Sequence, residues 1–211
     1  MAAKPRRPYA ARMPPEQRRA QLLDAALSVI LEQGYSGVSI EAVARAAGVT
    51  RPVIYDHFPN LGQLLHALIE REERYAMEQL ERVIPADLGD AVPGATLPVS
   101  VRRLLEEVRS RPATWRLILL PPAGTPNLVR EHLERNRGRA LEQIELMVRA
   151  ALTRPGLPED LDVELTARAI RDLTEEAGRM VLTDPKRYPA ERYEEFVASL
   201  MRLVGHGRTA E

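Results

Sequence analysis

Thr50, Arg51, Val53, Tyr55 and His57 crowd into one short stretch, GVTRPVIYDHFPNLGQLL, residues 48 to 65. Arg51 carries a planar fork of donors that can hold the O6 and N7 of guanine together. The methyl groups of Thr50 and Val53 suit a thymine methyl, and the Tyr55 hydroxyl suits a phosphate oxygen. Ile54 and Phe58, set between them, are apolar and read as core. Pro52 stands where a helix would otherwise run. Its place makes sense if Thr50 is an N-cap, because Arg51 and Pro52 then take the first two helical positions, whose N–H groups have no intrahelical partner. On that reading Pro52 starts a helix and stiffens its leading end.

The elements that must position these side chains are legible upstream. Residues 16–33 carry Leu22, Leu23, Ala26, Leu27, Ile30 and Leu31 at spacings of three and four, one apolar stripe that Gly34 stops. A second helix begins at Ser39, with Ile40, Val43, Ala44 and Ala47 facing inward, and ends at Gly48. Residues 39–58 then read as two short helices joined at AGVT. Ala44 is small where the second helix must approach, Gly48 permits the positive φ of the turn, and Val49 plugs the angle between the helices. This is the packing logic of a helix-turn-helix, whose second helix enters the DNA major groove. AGVT alone would equally suit any helical hairpin.

With the neighbouring residues added, the run YSGVSIEAVARAAGVTRPVIYDHFPNLGQLLHALIE resembles the DNA-binding region of the TetR family of transcriptional regulators. Gly34, Tyr35, Ser39, Ile40, Val43, Ala44, Ala47, Gly48, Val49, Thr50, Ile54, Tyr55, His57, Phe58 and Leu64 stand where that pattern asks, over roughly residues 18–68. The resemblance implies that Ser39, Tyr55 and His57 reach phosphates while Thr50, Arg51, Pro52 and Val53 face base edges. His57 is alternatively a capped surface residue beside Asp56. Arg45 and the N-terminal cations Arg6, Arg7 and Arg12 are candidate backbone or minor-groove contacts, with a silent arm the equal alternative. Leu61 departs from the pattern, which often has lysine after the cap of the next helix.

Charge agrees with an anionic partner at one end. The chain is neutral overall, yet residues 1–60 hold eight cations against five anions, and six of those cations precede residue 20. Zero cysteines exclude disulfides, thiolate catalysis and Cys-ligated metal. The apolar run at 115–120 is interrupted by Arg116 and falls far short of the roughly 20 residues of a membrane span. Pro and polar residues follow Lys4, Arg6 and Arg7 where a secretory signal would need an apolar core, so a cytoplasmic location is expected.

Strand signals are nearly missing, so the expected fold class is all-α: an N-terminal three-helix DNA-binding domain followed by a helical bundle. The expected divisions are a basic arm at 1–14, a helix-turn-helix domain at 15–60 and a ligand-binding and dimerisation domain at 61–211. Later helices are expected at 61–84, 99–110, 113–120, 128–152, 161–182 and 190–204, with residues 85–98, rich in proline and glycine, as a loop. The resemblance further implies an effector pocket and a homodimer. Tyr75, Trp115, Ile118, Leu119, Met147 and Glu175 are pocket candidates, each with a core or surface role as the alternative. Ile170, Ala177, Val181, Phe196, Leu200 and Leu203 lie on apolar stripes that would pack against a second subunit, or simply within one.

Catalysis is not expected. The four histidines are distant in sequence, His66 and Glu70 read as a surface pair one turn apart, and no phosphate loop, nucleophile elbow or zinc-protease motif occurs. Glu72-Glu73, Glu106-Glu107, Glu175-Glu176 and Glu194-Glu195 read as solvated helix faces. No cofactor or metal is implied. The partners implied are an operator duplex, a small-molecule effector and a second copy of the chain, with no membrane. A helical protein-interaction scaffold is the competing class; it would share the amphipathic helices but would not need Thr50, Tyr55 and His57 together after AGV.

Overall fold

The computed structural model describes residues 13–83, 93–122, 124–153 and 160–206. Among them the secondary structure is helical: α1 (Pro15–Gln33), α2 (Ile40–Ala47), α3 (Arg51–Tyr55), α4 (Leu61–Val83), α5 (Pro93–Ser110), α6 (Pro112–Leu119), α7 (Asn127–Leu152), α8 (Val163–Thr183) and α9 (Ala190–His206), with one 3-10 turn at Tyr35–Gly37. The all-α expectation is met. The arm residues Arg6, Arg7 and Arg12 and the segment 84–92 lie outside the described residues.

Local chemistry sets the boundaries. Pro15, Pro52 and Pro112 stand in the first turn of their helices, where a missing N–H breaks no bond. Ser39 caps α2 by accepting from the Ala42 N–H at 3.1 Å, Asn60 caps α4 through Gln63 at 2.9 Å, and Asp162 caps α8 through Leu165 at 3.0 Å. The loop expected through residue 98 is shorter than that. Helix α5 already runs from Pro93 with Pro98 inside it, because a proline this near a helix start forfeits a single backbone bond.

The helices pack in two regions that share α4. In the first, α1, α2, α3 and the leading half of α4 enclose Leu22, Ile30, Val43, Ile54, Phe58, Leu64 and Leu68, and Leu117, Val129 and Leu133 from α6 and α7 close the same core. In the second, Ala76, Val108, Trp115, Leu119 and Leu182 pack together, and Leu105 meets Ala177, Val181 and Ala190. Helix α8 crosses α6 closely at Gly178, where an added Cβ would stand 2.6 Å from a Leu119 methyl.

Polar groups are also buried along α4. Arg71 Nη1 reaches Asp24 on α1 at 2.7 Å and the Ala20 carbonyl at 3.3 Å, while its Nε and Nη2 hold Glu72 at 2.8 and 2.7 Å. The other Glu72 oxygen accepts from the Thr114 hydroxyl on α6 at 2.5 Å. Glu72 is 2% exposed, so it is no solvated surface acid. Its helix turns inward there, and two donors replace the lost water.

Candidate nucleic-acid interface

The turn between α2 and α3 is built as its residues require. Gly48 adopts φ 65°, ψ 32°, a left-handed conformation that favours glycine, and its N–H and that of Val49 close onto carbonyls of α2. No atom crowds the Gly48 α-carbon, so conformation rather than space demands the glycine. Ala44 is buried and Val49 packs against the same core. Thr50 holds the N-cap position in extended conformation, but its side chain makes no capping bond. The side-chain cap expected of its hydroxyl is therefore not formed, and Thr50 is exposed.

Helix α3 splits cleanly by burial. Ile54 and, just beyond, Phe58 are sealed in the core, whereas Arg51, Pro52 and Tyr55 are exposed and Val53 and His57 are half-buried. Two side chains of α1 fasten this pair of helices from behind. Gln21 donates to the Ala47 carbonyl at 3.0 Å, and Arg19 donates to the His57 carbonyl at 3.3 Å while stacking on the Phe58 ring at 4.3 Å. Neither clamp is visible in a sequence pattern, since each joins residues far apart in the chain.

The structure brings Arg51 and Tyr55 together on the exposed side of α3, keeps Ser39 half-buried at the N-cap of α2 and leaves Arg45 exposed on α2. Although the Ser39 oxygen accepts the capping bond, its hydroxyl hydrogen remains available to donate. Arg51 Nη1 stands 2.9 Å from Glu41 Oε1, an acid that sequence reasoning passed over. The Tyr55 hydroxyl first, and the Glu41 carboxylate second, hold the guanidinium pKa above its ordinary value.

Residues 22–68 match the family model described as bacterial regulatory proteins, tetR family. That segment is a TetR-family DNA-binding region, and the chain is similar to helix-turn-helix transcriptional regulators of that family. It is 26% identical to the HTH-type transcriptional regulator SrpR of Pseudomonas putida over 158 residues, covering 75% of this chain and 72% of that one. Among solved structures, a TetR-like regulator from Rhodococcus sp. RHA1 superposes with a TM-score of 0.72 at 20% identity, over 95% of this chain and 100% of that one. The triclosan complex of SmeT, a Stenotrophomonas maltophilia efflux-pump repressor, gives 0.70 at 22% identity, over 89% and 90%. At these identities the structures speak for the fold.

The other candidate residues are dispersed. Trp115, Ile118 and Leu119 pack with Ala76 and Leu182, and the Trp115 indole donates to Gln79 at 2.9 Å. Tyr75 lies under the Arg111 guanidinium at 4.2 Å, Met147 is half-buried on α7, and Glu175 is tied to Arg137 and Arg179. Two surface clefts, of about 660 and 340 Å3, include none of the six. Ala177 and Val181, expected at a subunit interface, are buried within the subunit, because the small-residue stripe of α8 packs on α5. Ile170 is half-buried, Phe196 and Leu200 are exposed, and the Leu203 side chain lies outside the described residues.

His66 pairs with Glu70 at 3.3 Å, as its spacing suggests. Its ring also meets that of His132 edge to face, 5.8 Å between centroids, and His132 bonds Glu73. Burial raises the Glu73 pKa, against the opposing pull of His132. Among the described residues no group of three or more His, Cys, Asp or Glu is placed to hold a metal ion. None of their helices is long and apolar enough to cross a membrane.

Proposed function

We propose that this chain is a homodimeric repressor that binds a palindromic operator and is released by a small molecule. The single observation that carries DNA reading is the division of α3: one face sealed by Ile54, the other offering Arg51, Pro52 and Tyr55 outward on a clamped turn. Thr50, Val53 and Arg51 supply base-edge chemistry, while Ser39, Tyr55 and His57 supply phosphate donors, with Arg45 as a further cation. A scaffold would have no use for this exposed set. Regulation by a small molecule is supported by the triclosan-bound SmeT, whose fold the chain shares. The pocket is assigned to the bundle around Trp115, and residues 1–14, 15–60 and 61–211 to arm, reading head and bundle. The cytoplasm is where such a regulator meets its operator.

The test is a mobility-shift series with the DNA upstream of the chain's own gene. Sequence-selective binding that weakens steeply with salt supports the proposal; no selective shift at any salt defeats it. Release is tested separately, by a small-molecule screen for loss of operator affinity. A screen that finds none ends the effector half.

A further inference from the structure

We infer that Glu41 is a specificity-determining residue of the reading surface: its carboxylate orients the Arg51 guanidinium so that the fork meets a guanine edge. This deepens, and rests on, the DNA-reading function proposed above. Glu41 lies in the first turn of α2 and Arg51 at the start of α3, so their 2.9 Å ion pair ties together the two helices of the motif at the exposed face. Both side chains are more than half exposed, and an exposed pair of this kind adds little to folding stability. Its value lies elsewhere. A free arginine samples many rotamers and loses that freedom on binding, whereas one already held by a carboxylate loses less.

The geometry leaves the fork usable. Glu41 engages Nη1, and a bidentate contact to guanine needs only two of the five N–H donors. Glu41 also stands two residues from Ser39, a proposed phosphate donor. A carboxylate there opposes DNA phosphates unless a cation neutralises it, and Arg51 is that cation. The pair therefore trades some general affinity for discrimination at one base pair per half-site.

The test starts from an operator recovered by selection from random duplexes and compares it with the same duplex carrying adenine for the guanine read by Arg51. Wild type, Glu41→Gln, Glu41→Ala and Arg51→Ala are measured, together with Glu41→Ala in the Arg51→Ala background, each with a thermal melt to confirm folding. Glu41→Ala should lower the guanine-over-adenine ratio about tenfold, within the range one bidentate contact supplies. Glu41→Gln, which keeps an acceptor, should fall between. Binding to unrelated DNA should tighten with the anion gone. Without Arg51, removing Glu41 should leave the ratio unchanged.

A selective wild type whose Glu41 variants discriminate equally well overturns this role alone. So does an improved ratio in Glu41→Ala, which would mean that Glu41 withholds Arg51 from DNA. A change of ratio that persists without Arg51 overturns it too. A wild type that selects no sequence removes the DNA-reading function and this role together.

Discussion

The Tyr35 ring is packed at the approach to α2, yet its hydroxyl is buried with no hydrogen-bond partner, and burial pushes the phenol pKa well above its ordinary value. An unsatisfied buried hydroxyl carries a desolvation penalty of about 1–3 kcal/mol. Tyr35→Phe should therefore stabilise the chain by about 1 kcal/mol, raising Tm by roughly 2–4 °C. The pH dependence has a definite sign. An unfolded phenol ionises near 10.0 and the folded one only higher, so wild-type stability falls as pH climbs beyond that value. The advantage of Tyr35→Phe should therefore widen as pH climbs past 10.0, because phenylalanine has no phenol to ionise in the unfolded chain, and the difference between paired melts across the alkaline range isolates this one group. A phenylalanine variant that melts lower at neutral pH contradicts the account. Arg51→Ala belongs to the same scale: it should cost about 1–3 kcal/mol of discrimination at one base pair per half-site, read by competition binding, whereas uniform weakening on all sequences would make Arg51 a phosphate contact. Gly48, Pro52 and Ile54 were legible because backbone conformation and helix phase act locally. Glu41 was not, because its partner lies on another helix.

At the scale of elements, α4 joins the reading head to the bundle, and its buried Arg71 reaches both ways, to Asp24 on α1 and through Glu72 to Thr114 on α6. Removing one partner of a buried pair leaves an uncompensated charge, so Arg71→Met should destabilise by about 3–5 kcal/mol in a denaturant titration. Asp24 is 71% exposed, and Asp24→Asn should cost under about 1 kcal/mol. Equal losses from the two would mean that the Asp24 contact, rather than Glu72, dominates. The pattern of apolar spacing announced α4 and its neighbours to within a few residues. It could not announce Glu72, because two adjacent glutamates read as surface unless the donors of other helices are known. The start of α5 was missed for a related reason: proline marks a loop and a helix start with the same letter.

At the scale of the whole molecule, one short α3 contacts too few base pairs to select a site, so the proposed function needs two heads about 34–36 Å apart or a multiple of that. The all-α class was readable from composition and periodicity; the surface proposed to join two copies was not, since a stripe that packs inside a subunit looks the same in sequence as one that packs between subunits. Burial separates them. Ala177 and Val181 are spent on α5, while Leu165 and Leu173 on α8 and Phe196 and Leu200 on α9 remain exposed, at 64%, 65%, 54% and 36%. Under two-fold symmetry each substitution enters the interface twice, so a charge there is doubly unfavourable. Leu173→Glu combined with Phe196→Glu should shift the chain from dimer to monomer in sedimentation equilibrium while leaving the circular-dichroism helix content unchanged. Operator affinity should then fall by about 10²–10⁴, the gain that linking two half-site contacts provides, with binding to unrelated DNA reduced far less. A variant that stays dimeric places the interface elsewhere, and a monomer that holds the operator as tightly as wild type removes the need for a dimer.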